Sequence, residues 1–148
     1  MILLDTNIFI IDRFFPRDER YAVNRQLIAR IGDAEFGFSI FSLFELCGLA
    51  SFNLSPEEFN RWCYNFDEVY AVEILNPAGI YTVLADEWFE YFSHSLFDLL
   101  RRKMTWGDAT LLATAEEYAV EAILTWNKKH FEDRTTLRVL TPAEYVEA

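Results

Sequence analysis

WGDATLLATAEEYAVEAILTWNKKHF, residues 106–131, contains a predicted helix, a predicted strand and several polar side chains in one short run. Its alanine-rich first part predicts a helix over 106–119, and EAILT at 121–125 predicts a strand directly after it. Asp108 lies near the start of the helix, and Asn127 lies two residues past the end of the strand. This run is therefore predicted to be one helix–strand step of an α/β protein.

The same alternation extends over the rest of the chain. Strands are predicted at 2–5, 35–40, 70–74 and 137–140, and helices at 17–31, 42–52, 55–66, 80–103 and after residue 141. Ser55 and Thr141 are each followed by proline and, three residues later, by glutamate, which is the pattern of a capped helix start. Strands separated by helices indicate a mostly parallel central sheet, and residues 1–148 are interpreted as a single domain.

The composition of the chain limits its partners and its location. A net charge of −11, from 24 acidic and 13 basic residues, argues against simple electrostatic capture of nucleic acid. No apolar run is long enough to span a bilayer, and Asp5 and Asp12 interrupt the apolar start, so neither a membrane segment nor a signal peptide is expected. Cys47 and Cys63 lie in apolar surroundings and are interpreted as reduced core thiols, which indicates the cytoplasm.

Three carboxylates and one amide are expected at the same edge of the sheet. Asp5 ends the first strand, Glu45 lies one helical turn past the second, Asp108 opens the helix at 106–119, and Asn127 follows the strand after it. Ligands bind beyond the carboxyl ends of parallel strands, where these side chains would converge. Clustered carboxylates repel one another unless a cation neutralises them, and hard oxygen ligands suit Mg²⁺ or Mn²⁺. The pattern therefore indicates metal-assisted hydrolysis of a phosphodiester bond.

These acids also have structural interpretations. Ser42-x-x-Glu45 and Thr105-x-x-Asp108 match the capping-box pattern, in which each acid would satisfy a backbone amide at a helix start. Asp5 is harder to explain in this way, because a lone carboxylate at the end of an apolar strand is costly to bury. A phosphotransfer receiver, or a phosphatase with an aspartate nucleophile, is a further alternative for an aspartate at the end of a first strand.

Three segments in order resemble the PIN-domain nucleases, and within them the VapC-like toxin ribonucleases. ILLDTNIFI at 2–10 resembles the first motif of the family, and SIFSLFELCG at 39–48 resembles the second. The run at 106–131 resembles the third and fourth motifs together and is the most specific of the three. The order and spacing hold over the whole chain.

The resemblance implies a three-layer α/β/α fold and divalent-metal-dependent cleavage of RNA. It implies that Asp5, Glu45 and Asp108 bind Mg²⁺ or Mn²⁺, and that these residues and Asn127 are catalytic. Many members have one or more aspartates in the last motif, where this chain has Asn127 and His130. Tight binding of a second ion is therefore not expected, and activity depends either on one firmly held ion or on a second ion that the substrate brings.

Histidine side chains commonly act as general bases near neutral pH, which makes His130 a candidate for that role. It lies close in sequence to Lys128 and Lys129, and it is interpreted as a surface residue that contacts phosphate or has no role. Basic residues at 13–30 and 128–138 are candidates for contacts with flanking phosphates of an RNA substrate.

The resemblance also implies protein partners. VapC-like toxins commonly dimerise and are inhibited by an antitoxin encoded beside them, so a homodimer and an antitoxin are both expected. EWFEYFSHSLFDLL at 87–100 has apolar side chains on more than one helix face, which indicates self-association or a groove for a partner helix. The nine acids and one base at 57–98 suit a partner with a basic segment. The alternative is a PIN-like module that binds RNA or protein without activity.

Overall fold

The structure is a computed structural model that describes residues 1–147. Its five strands are β1 (Ile2–Leu4), β2 (Phe36–Ser39), β3 (Glu73–Leu75), β4 (Ala122–Leu124) and β5 (Arg138–Leu140). Its eight α-helices are α1 (Thr6–Phe14), α2 (Tyr21–Arg30), α3 (Ile40–Ala50), α4 (Pro56–Tyr64), α5 (Phe66–Tyr70), α6 (Ala85–Arg101), α7 (Trp106–Glu117) and α8 (Pro142–Val146).

The strands form one sheet in the order β3-β2-β1-β4-β5, and every neighbouring pair is parallel. Leu3 of β1 pairs with Gly37 of β2 and with Ile123 of β4, so β1 lies at the centre of the sheet. The short strands are nearly all apolar because a parallel sheet is covered on both faces. The predicted parallel sheet is therefore confirmed.

Two apolar clusters cover the two faces of this sheet. Successive side chains of a strand point to opposite faces, so Leu4 packs in one cluster and Leu3 in the other. The first cluster contains an aromatic group in which Phe9 lies 4.8 Å from Phe38 and 5.0 Å from Phe66, measured between ring centroids. Helices on both faces of a parallel sheet make the predicted three-layer α/β/α fold.

Several predicted helices differ from the observed ones. The helix predicted at 17–31 is α2, and the separate helix α1 begins directly after β1. The sequence pattern missed α1 because its apolar residues continue the run of the strand without a break. The helix predicted at 42–52 begins two residues earlier, and the one predicted at 80–103 begins only at Ala85 because 77–84 forms turns.

The two predicted proline-containing helix starts are correct. Ser55 caps α4 by accepting a hydrogen bond from the backbone of Glu58, whose carboxylate binds Arg13 instead of completing a capping box. Thr141 and Glu144 make the complete capping box of α8.

Two predictions about cysteines and membranes can also be compared with the structure. Cys47 and Cys63 are both free thiols, and their sulfur atoms lie 3.6 Å apart between α3 and α4. Within residues 1–147, none of the helices has the length and apolar character needed to cross a bilayer.

Candidate active site

A cleft of about 240 Å³ opens beyond the carboxyl ends of β1, β2 and β4. All four residues predicted for the site line this cleft, namely Asp5, Glu45, Asp108 and Asn127. These residues come from four separate parts of the chain. They meet because β1 lies between β2 and β4, so the segments that follow these strands lie at one edge of the sheet. This is the place where open parallel sheets bind ligands.

Asp5 lies at the N-cap position of α1, but its side chain makes no capping hydrogen bond. Instead, one oxygen of its carboxylate accepts hydrogen bonds from Thr125 Oγ1 and Asn7 Nδ2, each at 2.5 Å. The buried Thr125 hydroxyl also accepts hydrogen bonds from Asn7 Nδ2 at 3.1 Å and from the backbone of Asn127 at 2.9 Å. A buried hydroxyl thus connects β1, α1 and the segment after β4, and it fixes the Asp5 carboxylate in the cleft.

Burial raises the pKa of Asp5 to about 6, from an ordinary value of 3.8. The hydrogen bond from Thr125 opposes this shift, while the negative charges of Asp108 and Glu45 increase it. The charges of Asp108 and Glu45 therefore act on Asp5, although the three residues are far apart in sequence. In the absence of a cation, negative charge in this cleft is therefore unfavourable.

Glu45 enters the cleft from the solvent-exposed side of α3. Its capping-box interpretation is wrong, because Ser39 is the N-cap residue of α3 and Ser42 lies inside the helix. The Glu45 carboxylate accepts a hydrogen bond from Thr6 Oγ1 at 3.0 Å. It also lies against Gly107 of α7, where a β-carbon would come within 2.8 Å of Oε1. Gly107 therefore provides the space that Glu45 occupies.

Asp108 combines the two roles that the sequence left open. Thr105 is the N-cap residue of α7, and its hydroxyl accepts a hydrogen bond from the backbone of Asp108 at 3.3 Å. The same hydroxyl donates to the Asp108 carboxylate at 2.7 Å. Asp108 thus belongs to a helix cap and also presents a carboxylate to the cleft.

Sequence reasoning missed three features of this site. His130 is exposed, as the sequence predicts, and its ring also lines the cleft and lies 3.1 Å from the Asp108 carboxylate. Neither Thr125 nor Gly107 was singled out. A threonine that directly ends an apolar strand, and a glycine in the first turn of a helix, were the available signals, but both are also common for local reasons.

The sequence profile of the PIN domain matches residues 2–135. The chain belongs to the PIN domain family. Its match covers all the residues that line the cleft, and it favours the PIN-domain interpretation over the phosphotransfer alternatives.

Solved structures similar to this PIN domain include components of toxin–antitoxin systems. VapBC2 from Rickettsia felis is 19% identical with a TM-score of 0.63, over 95% of this chain and 98% of that chain. A toxin–antitoxin complex from Klebsiella pneumoniae is 20% identical with a TM-score of 0.59, over 96% and 98% of the two chains. VapC20 from Mycobacterium tuberculosis, a sarcin–ricin loop cleaving toxin, is 16% identical with a TM-score of 0.57, over 83% and 87%. At these identities the similarity shows a common fold.

A search of curated protein sequences gave no significant match to this PIN domain.

The donor set of the cleft fits a hard divalent cation. It offers carboxylate oxygens from Asp5, Glu45 and Asp108 and the amide oxygen of Asn127, with no thiolate. In the side-chain conformations of residues 1–147, no three acids, histidines or cysteines lie close enough together to hold an ion. Binding of an ion by three of these side chains therefore requires them to move closer together.

Replacing Thr125 by valine tests how Asp5 is held. Thr125→Val keeps the buried volume but removes the hydroxyl that favours ionised Asp5, so the pKa of Asp5 should rise above about 6. We expect roughly a tenfold increase in proton affinity, the worth of one hydrogen bond to a charged group. NMR titration of the Asp5 carboxyl carbon in metal-free protein measures this change in the pKa of Asp5. Thr136→Val, at an exposed position, is the control and should leave the titration unchanged.

Proposed function

We propose that this PIN domain, interpreted as a single unit over 1–148, is a metal-dependent endoribonuclease that hydrolyses RNA phosphodiester bonds. The observation that carries the proposal is the arrangement around Asp5. A carboxylate at an N-cap position is withdrawn from capping, fixed by Thr125 and Asn7, and held near the charges of two other acids. Because burial and the two neighbouring charges both disfavour ionised Asp5, a cation bound beside it would lower the free energy of the site.

Each residue of the cleft has a proposed role. Asp5, Glu45 and Asp108 would hold Mg²⁺ or Mn²⁺. The Thr125 hydroxyl orients the Asp5 carboxylate, and the Thr6 hydroxyl orients that of Glu45. When bound, the cation would lower the pKa of the attacking water and balance the negative charge that develops on the phosphate. Asn127 is exposed at the cleft and is placed to orient a water through its amide.

RNA is the proposed substrate, although four of the nine lysines and arginines that are candidates for phosphate contacts already have acidic partners. Four of these basic side chains form ion pairs, namely Arg13 with Glu58, Arg20 with Asp18, Arg25 with Asp12 and Lys128 with Glu144. Lys129, next to His130, forms no ion pair with any residue of 1–147. We therefore expect phosphate contacts to depend more on Lys129 than on Lys128.

The experiment that tests this function is cleavage of a labelled pool of structured RNA by the purified chain. Reactions contain Mg²⁺, Mn²⁺ or EDTA, with metal binding measured separately by calorimetry. We expect cleavage with either ion and none with EDTA. Cleavage that persists in EDTA contradicts a metal-dependent mechanism, and the absence of metal binding contradicts the proposed site.

A module without activity is the second candidate. It is favoured by one observation, which is that Asn127 brings no negative charge to the position where many family members have aspartate. An inactive module would bind metal or RNA but would not cleave any RNA in the pool. Calorimetry combined with the cleavage assay therefore separates the two candidates.

We further propose that the chain is the toxin of a toxin–antitoxin pair and acts in the cytoplasm. The support is the similarity of fold to the toxin–antitoxin complexes from Rickettsia felis and Klebsiella pneumoniae. Coexpression with the neighbouring gene product should relieve growth arrest caused by the chain alone.

We also propose a homodimer formed through α3. This helix exposes Phe44 and Leu49, and Phe52 is exposed in the turn that follows it, a concentration of large apolar side chains that usually marks an interface. Sedimentation equilibrium should report a dimer, and Phe44→Ser with Leu49→Ser should shift it towards monomer.

A further inference from the structure

Two thiols face each other at a place that is separate from the cleft. Cys47 of α3 and Cys63 of α4 are the only cysteines of the chain, and their sulfur atoms lie 3.6 Å apart. The Cys63 thiol donates a hydrogen bond to the Cys47 sulfur at this distance. The sulfur atoms of a disulfide lie about 2 Å apart, so only a small approach of the two side chains separates the observed pair from a disulfide.

The thiol pair lies on the inner side of α3. Leu43, Leu46, Cys47 and Ala50 form the buried side of this helix, whereas Glu45 is exposed on the other side. Cys47 and Glu45 point in different directions, although they are two positions apart, because successive helical residues are offset by about 100°. A bond at the Cys47 sulfur would therefore form outside the cleft.

The surroundings of the thiol pair are apolar and do not suit a metal ion. Cys47 belongs to the first apolar cluster, and Cys63 packs against that cluster. Within residues 1–147, no histidine or acid lies close enough to form a group of three possible ligands with them, whereas a structural zinc site needs four ligands. The chemistry available to the pair is therefore that of two adjacent thiols.

The two thiols differ in their access to solvent. Cys47 is 8% exposed, whereas Cys63 is only partly buried. Burial raises the pKa of Cys47 to about 12, and the hydrogen bond from Cys63 adds to the rise. Cys47 is therefore expected to keep its proton, and a small oxidant that enters from solvent meets Cys63 first.

We propose that Cys47 and Cys63 form an oxidative modification site, at which a peroxide converts the two thiols into a disulfide between α3 and α4. The Cys63 sulfur attacks one oxygen of hydrogen peroxide and breaks the O–O bond, which gives a sulfenic acid and one water. The Cys47 sulfur then attacks the Cys63 sulfur, and the hydroxyl group leaves with the Cys47 proton as a second water. Two thiols are thus oxidised by two electrons, and one hydrogen peroxide is reduced to two waters.

The disulfide would join α4 covalently to the domain. The loop that it closes runs from Cys47 to Cys63 and contains the turns after α3 and nearly all of α4, including the buried Trp62. Closing such a loop reduces the freedom of the unfolded chain and so stabilises the fold. Disulfides of cytoplasmic proteins are usually transient and respond to oxidants, so we expect this bond to be reversible. The proposal does not depend on whether the cleft cleaves RNA.

The test treats the full chain, without divalent metal, with hydrogen peroxide, which is then removed by catalase. We expect the loss of both thiols, a decrease in mass by two hydrogen atoms and a peptide map in which the segments of Cys47 and Cys63 are linked. The melting temperature should rise by about 10 °C and return to its first value after reduction with dithiothreitol.

Each cysteine has a matched control variant. Cys47→Ala leaves Cys63 without a partner, so peroxide should produce a sulfenic acid that dimedone traps, with no rise in melting temperature. Cys63→Ala leaves only the buried Cys47, which should react with peroxide much more slowly. If a variant does not fold, the wild-type measurements decide the proposal.

Four results for the wild type would overturn the proposal. These are retention of both thiols, oxidation of Cys63 to a sulfinic acid, a disulfide between two chains, and an internal disulfide that leaves the melting temperature unchanged. The third result would show that Cys63 reacts with a second copy before Cys47 reaches it. The fourth would show that the bond does not hold α4 on the domain.

Discussion

Asp5→Asn is expected to abolish metal-dependent RNA cleavage and, at the same time, to stabilise the metal-free protein at neutral pH. Activity is lost because the substitution removes the negative charge that would hold the cation. The amide keeps the shape of the carboxylate and can still accept the hydrogen bonds from Thr125 and Asn7, so the fold is retained. A drop of about a thousandfold corresponds to roughly 4 kcal/mol of lost transition-state stabilisation. Single-turnover cleavage with Mg²⁺ measures the drop.

The gain in stability follows from the raised pKa of Asp5. The folded chain ionises Asp5 near pH 6 and the unfolded chain near pH 3.8, so the folded state holds the proton more tightly between these values. The free energy of unfolding of the wild type therefore falls as the pH rises through this window and stays lower above it. Asn has no such ionisation, and we expect the variant to be about 2 kcal/mol more stable at pH 7 but not at pH 3.5.

Urea unfolding of both proteins at several pH values, without divalent metal, measures this difference. Asp33→Asn makes the same chemical change at an exposed position before β2 and should alter neither cleavage nor the pH profile. An Asp5→Asn protein that cleaves RNA like the wild type would exclude Asp5 from the metal site. One that is destabilised at pH 7 would show that the Asp5 carboxylate is structural.

Gly107→Ala is expected to reduce cleavage strongly while leaving the fold intact. The added β-carbon would lie 2.8 Å from Glu45 Oε1 and 3.1 Å from Oε2, so the Glu45 carboxylate has to move. The backbone need not move, because the obstructing atoms are at the end of a flexible side chain. A displacement of about 1 Å in a catalytic group costs up to about a hundredfold in rate, and we expect a loss of ten- to a hundredfold.

Gly48→Ala is the matched control for this prediction. Gly48 lies in α3, on the same helix as Glu45, and a β-carbon there would meet no atom within 4 Å. Both replacements favour a helix by reducing the freedom of the unfolded chain, so neither should lower the melting temperature. Retained cleavage in Gly107→Ala would show that the observed position of Glu45 is not the active one. A comparable loss in Gly48→Ala would show that the effect is not specific to the contact with Gly107.

The sequence alone determined the fold class and which acidic residues are candidates for the site. The alternation of short apolar runs with amphipathic segments indicates parallel strands joined by helices, because such strands are buried on both faces. The helix starts at Ser55 and Thr141 were also predictable, since a capping residue, a proline and a glutamate act within four residues. These signals act between residues that are neighbours along the chain, so the sequence was sufficient to place both helix starts.

Only the tertiary structure decided which of these acids belongs to a helix cap. Ser42-x-x-Glu45 and Thr105-x-x-Asp108 are the same local pattern, yet only Thr105 is a cap, because β2 ends at Ser39 and α3 starts there. The contacts of Glu45 with Thr6 and Gly107, of Asp5 with Thr125 and of His130 with Asp108 join residues between 22 and 120 positions apart. Periodicity and spacing describe neighbours along the chain, whereas these contacts arise only when the strands take their places side by side.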